Sequence, residues 1–179
     1  MKLLKGLIFF ITLFALSRII PHPPNFTPLI SGAIFLPYLL EDKRAILLLP
    51  IAIMFLTDLV LGLHGLMIWT YSSFLLIGAL TLMSFKLNLR RILLISIASP
   101  TLFFVITNFG VWMGSSFYSS SFDGLIACYT LGLPFYSNSL ISTLLFSSCF
   151  YLIAVLLKEN TIFKTVSYTH LTLPTIYSV

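Results

Sequence analysis

The sequence predicts an all-α membrane protein, a bundle of six transmembrane helices with both termini on the cytoplasmic side. Three observations carry this expectation. The 179-residue chain is 59% hydrophobic and only 8% charged, with a mean hydropathy of +1.07, whereas soluble domains carry roughly 25% charged residues. Nine of its ten Lys and Arg residues fall at four places: Lys2 with Lys5, Lys43 with Arg44, Lys86 with Arg90 and Arg91, and Lys158 with Lys164. Cytoplasmic loops are rich in Lys and Arg, so each cluster marks one face of a bilayer. The other unusual polar residues, among them His22, Asn25, Asp58, His64, Asn108 and Asp123, gather at the alternate, uncharged turns.

A span of the hydrocarbon core needs about 20 helical residues. Residues 3–20 supply the first. The stretch resembles a secretory signal in its two lysines and apolar run, but no small-residue cleavage site follows, so it reads as an uncleaved helix. Four prolines within Pro21–Pro28 then forbid its continuation. Residues 29–40 are the weakest span, short and interrupted by Pro37, and credible only when packed among longer neighbours. The Glu41–Arg44 turn leads to a third span at 45–63, and a turn at Gly62, His64 and Gly65 to a fourth at about 66–85. After the turn at 86–91 comes a fifth span, 92–108, with Pro100 as a kink that packed neighbours tolerate. Residues 110–138 read as a longer outer segment holding a short amphipathic or re-entrant helix, and 139–157 as the sixth span.

One domain, residues 1–165, is expected. The run Val166 to Thr175 resembles the translation of a sequencing adapter, so residues 166–179 are set aside as non-native and His170 carries no weight. The net charge of +5 follows from the positive-inside pattern and attraction to membrane lipids. No basic stripe points to nucleic acid. Cys128 and Cys149 read as packing residues rather than a disulfide framework. No GxxxxGK[ST], HExxH or GxSxG motif is present, so nucleotide binding by that loop and those two hydrolytic chemistries are not expected. No catalytic residue, cofactor or metal is assigned: His22, His64 and a carboxylate from separate segments match no ligand spacing.

The candidate site residues lie at the outer turns. Arg18 and Asp58 sit near the outer ends of their helices at similar depth. An intramembrane charge normally faces a partner or a wet cavity, so they form a structural ion pair or contact a polar ligand. Asp58 and Gly62 share one helical face, with His64 capping the helix end. The proline-rich segment, holding His22 and Asn25, is stiff enough to serve as a lid or merely as a turn. Asn108, a buried amide in need of partners, lies beside Trp112 and Tyr118. These two and Tyr71 either stack on a ligand or form an interfacial aromatic belt.

Ser17-Arg18, the motif Pro21-His22-Pro23-Pro24-Asn25-Phe26-Thr27-Pro28, Asp58 with Gly62 and His64, Thr107-Asn108-Phe109-Gly110-Val111-Trp112, Gly124-Leu125 with Cys128-Tyr129, and Pro134-Phe135 resemble an uncharacterised bacterial six-helix membrane family of transport-type proteins. That architecture is similar to the substrate-binding S components of energy-coupling-factor (ECF) vitamin transporters. The resemblance implies a multi-pass protein of the bacterial inner membrane that binds a small solute near the extracytoplasmic face. It also implies separate coupling (T) and ATPase subunits. The first helix offers only Gly6 and Ala15 in place of the Ala-x-x-x-Ala docking face of such S components. The expected function is a membrane-embedded substrate-binding subunit for uptake of a vitamin-like or other small polar metabolite, with Arg18 favouring a carboxylate. The ligand contacts would be Arg18, His22, Asn25, Asp58, His64, Tyr71, Asn108, Trp112 and Tyr118. One rival is a scaffold without ligand. Another is a membrane enzyme using Asp58 and His64 as acid and base on a lipid-linked substrate, which requires the two within reach directly or through water.

Overall fold

A computed structural model describes residues 2–84, 88–114 and 116–169, with side chains at position 8 and from 11 to 156 within those ranges. The described residues form six helices and no strand: α1 (Lys2–Ile19), α2 (Leu29–Leu39), α3 (Lys43–Leu61), α4 (Met67–Ser84), α5 (Leu89–Gly114) and α6 (Phe122–Thr169). Four, namely α3, α4, α5 and the Phe122–Leu156 part of α6, are long and apolar enough to cross a membrane. Their outward surfaces are apolar too: Val60 and Ile68 are each 73% exposed and Met83 87%. An exterior of this kind suits hydrocarbon rather than water, which suggests a membrane protein.

The bundle is built around its shortest helix. Eight of the eleven residues of α2 are buried, and α2 touches each of the other five helices. Ser31 Oγ donates to the Thr143 carbonyl at 3.2 Å and Tyr38 OH to the Ala154 carbonyl at 3.3 Å, so α2 runs beside α6 in the same direction. Pro37 is tolerated because it lies in the last turn, where the Leu40 amide still reaches the Leu36 carbonyl at 2.8 Å. Close approach by α1 requires a residue without a side chain: a Cβ on Gly32 would overlap the Phe14 ring. The weak second span is therefore a central core helix packed among longer neighbours.

The ends of α1, α3 and α4 fall within two residues of the positions expected for the first, third and fourth spans. Asp42 starts α3 by accepting the Arg44 amide at 2.8 Å, a cap that satisfies one of the orphan donors of a helix start. At the other end the cap is Gly62, whose amide bonds the Asp58 carbonyl at 2.8 Å. His64 therefore does not cap α3; its carbonyl accepts the Met67 amide at 3.3 Å, at the start of α4.

The largest correction concerns the outer segment. α5 continues to Gly114, and α6 starts at Phe122 and passes Pro134 without a break, so among the described residues no separate short or re-entrant helix lies between them. Pairing explains the continuity. Tyr129 OH donates to the Val105 carbonyl at 2.6 Å, Tyr136 OH meets Thr101 Oγ1 at 3.0 Å, and the Phe104 ring packs on both tyrosines. These contacts zip the start of α6 onto α5 as an antiparallel hairpin and offset the one hydrogen bond a helical proline forfeits. The adapter-like run overlaps α6 through Thr169, and its remainder, with Lys86, lies outside the described residues.

Gly32→Ala is expected to lower stability by about 1–3 kcal/mol, the range for overpacking a filled core. Thermal unfolding in detergent measures this, and the additional Phe14→Leu substitution should restore much of the loss.

Candidate functional site

The polar centre is built on Arg18, in the last turn of α1. Its Nη2 donates to Asp58 Oδ1 at 2.6 Å. Its Nη1 donates to the Met54 carbonyl at 2.9 Å and to Thr57 Oγ1. Thr57 passes its own proton back to the α3 backbone, at the Ile53 or Met54 carbonyl, each 2.9 Å away. The second carboxylate oxygen of Asp58 accepts from Tyr71 OH at 2.6 Å. Asp58 is 1% exposed, and burial of a carboxylate is tolerable only when both oxygens are satisfied in this way. His64 Nε2 lies 3.9 Å from Asp58 Oδ2, with its ring 43% exposed. One ion pair and one phenol thus tie α1, α3 and α4 together.

Two cavities open beside this network. The first, about 340 Å³, is lined by Arg18, His22, Asn25, Thr27, His64 and Ser139 among others. The second, about 270 Å³, is lined by Thr107, Asn108, Tyr118, Cys128 and Gly132 among others. They share Asn25, His64, Thr70 and Phe103, so they are neighbouring chambers with a common wall. Asn108 Nδ2 donates to the Phe104 carbonyl at 2.9 Å. Its Oδ1 occupies the space a Cβ on Gly132 would need, so only glycine there lets α6 lie against the amide.

The proline-rich segment is fixed over the first chamber. Asn138 Nδ2 donates to the Pro24 carbonyl at 3.0 Å and Ser142 Oγ approaches the Asn25 carbonyl at 3.5 Å, which anchors the segment to α6. Asn25 has φ +62°, a left-handed conformation that asparagine adopts more readily than most residues.

Of the nine candidate residues, Arg18, His22, Asn25, His64, Asn108 and Tyr118 line one or both chambers. The other three are not among the lining residues. Asp58 and Tyr71 stand behind Arg18, where they hold its guanidinium. Trp112 turns to donate its Nε1 to the Ser119 carbonyl at 3.0 Å and packs against Phe109. Asp58 and Tyr71 thus reach the first chamber through Arg18, whereas Trp112 is engaged with the segment between α5 and α6. Thr27, Thr70, Thr107 and Ser139 also line the chambers; none was expected as a contact from the sequence, although Thr27 and Thr107 sit within the motifs that carry the family resemblance. Each hydroxyl was readable as a polar group near the outer end of an apolar helix, and Thr70 lies directly between Trp69 and Tyr71. Among the described residues no group of three or more His, Cys, Asp or Glu could hold a metal ion.

An all-helical bundle with an apolar exterior and polar chambers at one end is a membrane-type helical protein. The chain belongs to the family of unknown function DUF6580, whose model matches residues 3–167. No curated protein and no solved structure matches it.

Breaking the buried pair is expected to be costly. Asp58→Ala should destabilise by about 3–5 kcal/mol, and Tyr71→Phe by about 1.5–3 kcal/mol, the range for a hydrogen bond to a charged group. The two losses should be less than additive in a double-mutant cycle followed by denaturant unfolding, since both act on one carboxylate.

Proposed function

We propose that the protein is the membrane-embedded substrate-binding subunit of an uptake system for a small polar or vitamin-like metabolite, placed in the bacterial inner membrane. In this reading all six helices lie in the bilayer, both chain ends face the cytoplasm, and the two chambers open toward the extracytoplasmic side. The observation that carries the reading is the pair of adjoining chambers, which gather polar groups from distant parts of the sequence around shared walls. Small-ligand sites combine mostly apolar walls with a few placed polar groups, and Met54, Phe74 and Phe103 supply such walls here.

Arg18 is the principal ligand contact. Three hydrogen bonds engage its two terminal nitrogens, and a guanidinium has five N–H groups, so donors remain for a carboxylate or carbonyl. His22, Asn25, His64, Asn108 and Tyr118 supply the other polar contacts, while Asp58 and Tyr71 hold Arg18 in place. No nucleotide-binding motif occurs in the chain, so energy for uptake would come from separate coupling and ATPase subunits, as the likeness to ECF S components implies.

A second reading has its own observation. The 3.9 Å between Asp58 Oδ2 and His64 Nε2 is within the reach of a water-bridged acid–base pair, as an enzyme acting on a lipid-linked substrate would need. Against it, Asp58 is spent on Arg18 and Tyr71.

The test is native mass spectrometry of the detergent-purified protein, with isothermal titration of any molecule found. A small molecule should co-purify, and its affinity should fall about tenfold or more, the equivalent of one lost polar contact, in His64→Ala and in Asn108→Ala at unchanged melting temperature. A protein that is empty and silent across a metabolite panel would sink the binding reading in favour of a scaffold. A bound molecule returned chemically altered by wild type but intact by His64→Ala would favour the enzyme.

A further inference from the structure

Away from the polar chambers, at the opposite ends of α4 and α5, lies a groove of about 440 Å³ lined by Leu80 and Ser84 of α4 and by Arg90, Arg91, Leu94, Ile95 and the exposed Ala98 of α5. Its chemistry is graded along its length. Arg90, Leu94 and Ala98 form one i, i+4 row of α5, and Arg91 with Ile95 forms the next. From Arg90 to Ala98 the groove changes from two guanidinium groups to bare hydrocarbon over about 12 Å at 1.5 Å per residue. Leu94 is 59% exposed along it, while Ile95 at 4% forms its floor.

Among the described residues, neither arginine forms an ion pair with a carboxylate. Both are exposed and lie in the first turn of α5, which contains no acidic residue. Cations at a helix start oppose the positive end of its dipole, so the placement works against α5 unless an anion joins it. The contrast with the other described cluster is informative. Lys43 and Arg44 follow directly on Glu41 and Asp42, and Asp42 accepts the Arg44 amide. That turn brings its own negative charge, and the Arg90–Arg91 turn does not.

We propose that this groove is a binding site for an anionic phospholipid, with the headgroup phosphate on Arg90 and Arg91 and an acyl chain along Leu80, Leu94 and Ala98. A free phosphate would use the rim and leave the apolar wall empty. A phospholipid matches both halves, and basic pockets between membrane helices recognise anionic headgroups by this chemistry. The site is independent of the solute chambers and of what they bind.

The experiment uses the full chain, delipidated in detergent and titrated with phosphatidylglycerol, phosphatidylcholine or inorganic phosphate under native mass spectrometry. Phosphatidylglycerol should bind at least about tenfold more tightly than phosphatidylcholine. The Arg90→Gln/Arg91→Gln variant should lose that preference, whereas Lys43→Gln/Arg44→Gln, with the same change in charge, should keep it. Leu94→Trp, which fills the groove and retains both arginines, should also weaken phosphatidylglycerol and leaves the proposal testable if the arginine variant does not fold. Equal binding of the two lipids would overturn the proposal. So would retention of phosphatidylglycerol by both the arginine variant and Leu94→Trp. Displacement of the lipid by millimolar inorganic phosphate would reassign the rim to a free anion and overturn it equally.

Discussion

Arg18 sits where an apolar helix ends, and its charge is accommodated by three acceptors on α3: a carboxylate, a hydroxyl and a backbone carbonyl. A buried carboxylate is costly unless it is paired and hydrogen-bonded, and Asp58, 1% exposed, has Arg18 as its cationic partner. α1 packs only on α2 and α3 among the described helices, which makes this pair its polar attachment to the bundle. Tyr71 completes the arrangement from α4 by occupying the second carboxylate oxygen. The guanidinium that secures α1 also lines the first chamber. Attachment of a helix and construction of a cavity wall are therefore one interaction, and a change that loosens the pair alters both.

The segment that covers the chamber depends on the same region through a different mechanism. Prolines restrict the unfolded chain, so ordering Pro21–Pro28 costs less entropy than ordering a flexible loop. Two contacts from α6 then hold it, through the Pro24 and Asn25 carbonyls. Neither contact involves a side chain of the segment itself. Phe26 adds an edge-on ring contact with Phe146 of α6, while His22 and Asn25 line the chamber.

Much of this was legible in residue patterns. Four Lys/Arg clusters and the apolar runs between them located α1, α3 and α4 closely, because helix ends there coincide with prolines, charges or glycine. The pairing of Arg18 with Asp58 was readable as one of two alternatives, since two lone charges at similar depth in apolar helices need compensation. The continuity of α5 and α6 was not readable. Serines, glycines and aromatics between Gly110 and Asn138 have loop-like composition, and what makes them helical is tertiary: Tyr129 on Val105, Tyr136 on Thr101 and Trp112 on Ser119. Trp112 has its one donor engaged by the Ser119 carbonyl, a partner that no single-sequence pattern indicates. Thr70 and Ser139 escaped notice because a hydroxyl in a helix usually returns its proton to the backbone, and nothing in a single sequence tells which of them also faces a cavity.

The central helix has a consequence for how the chain reaches its final form. At eleven residues, α2 is about 16 Å long by its rise of 1.5 Å per residue, well short of a hydrocarbon core of roughly 30 Å. A segment of that length would not span a bilayer by itself. Its walls are supplied mostly by α4, α5 and α6, all of which leave the ribosome after it. The innermost element thus precedes in sequence most of what encloses it, and its burial is complete only once α6 has packed against it.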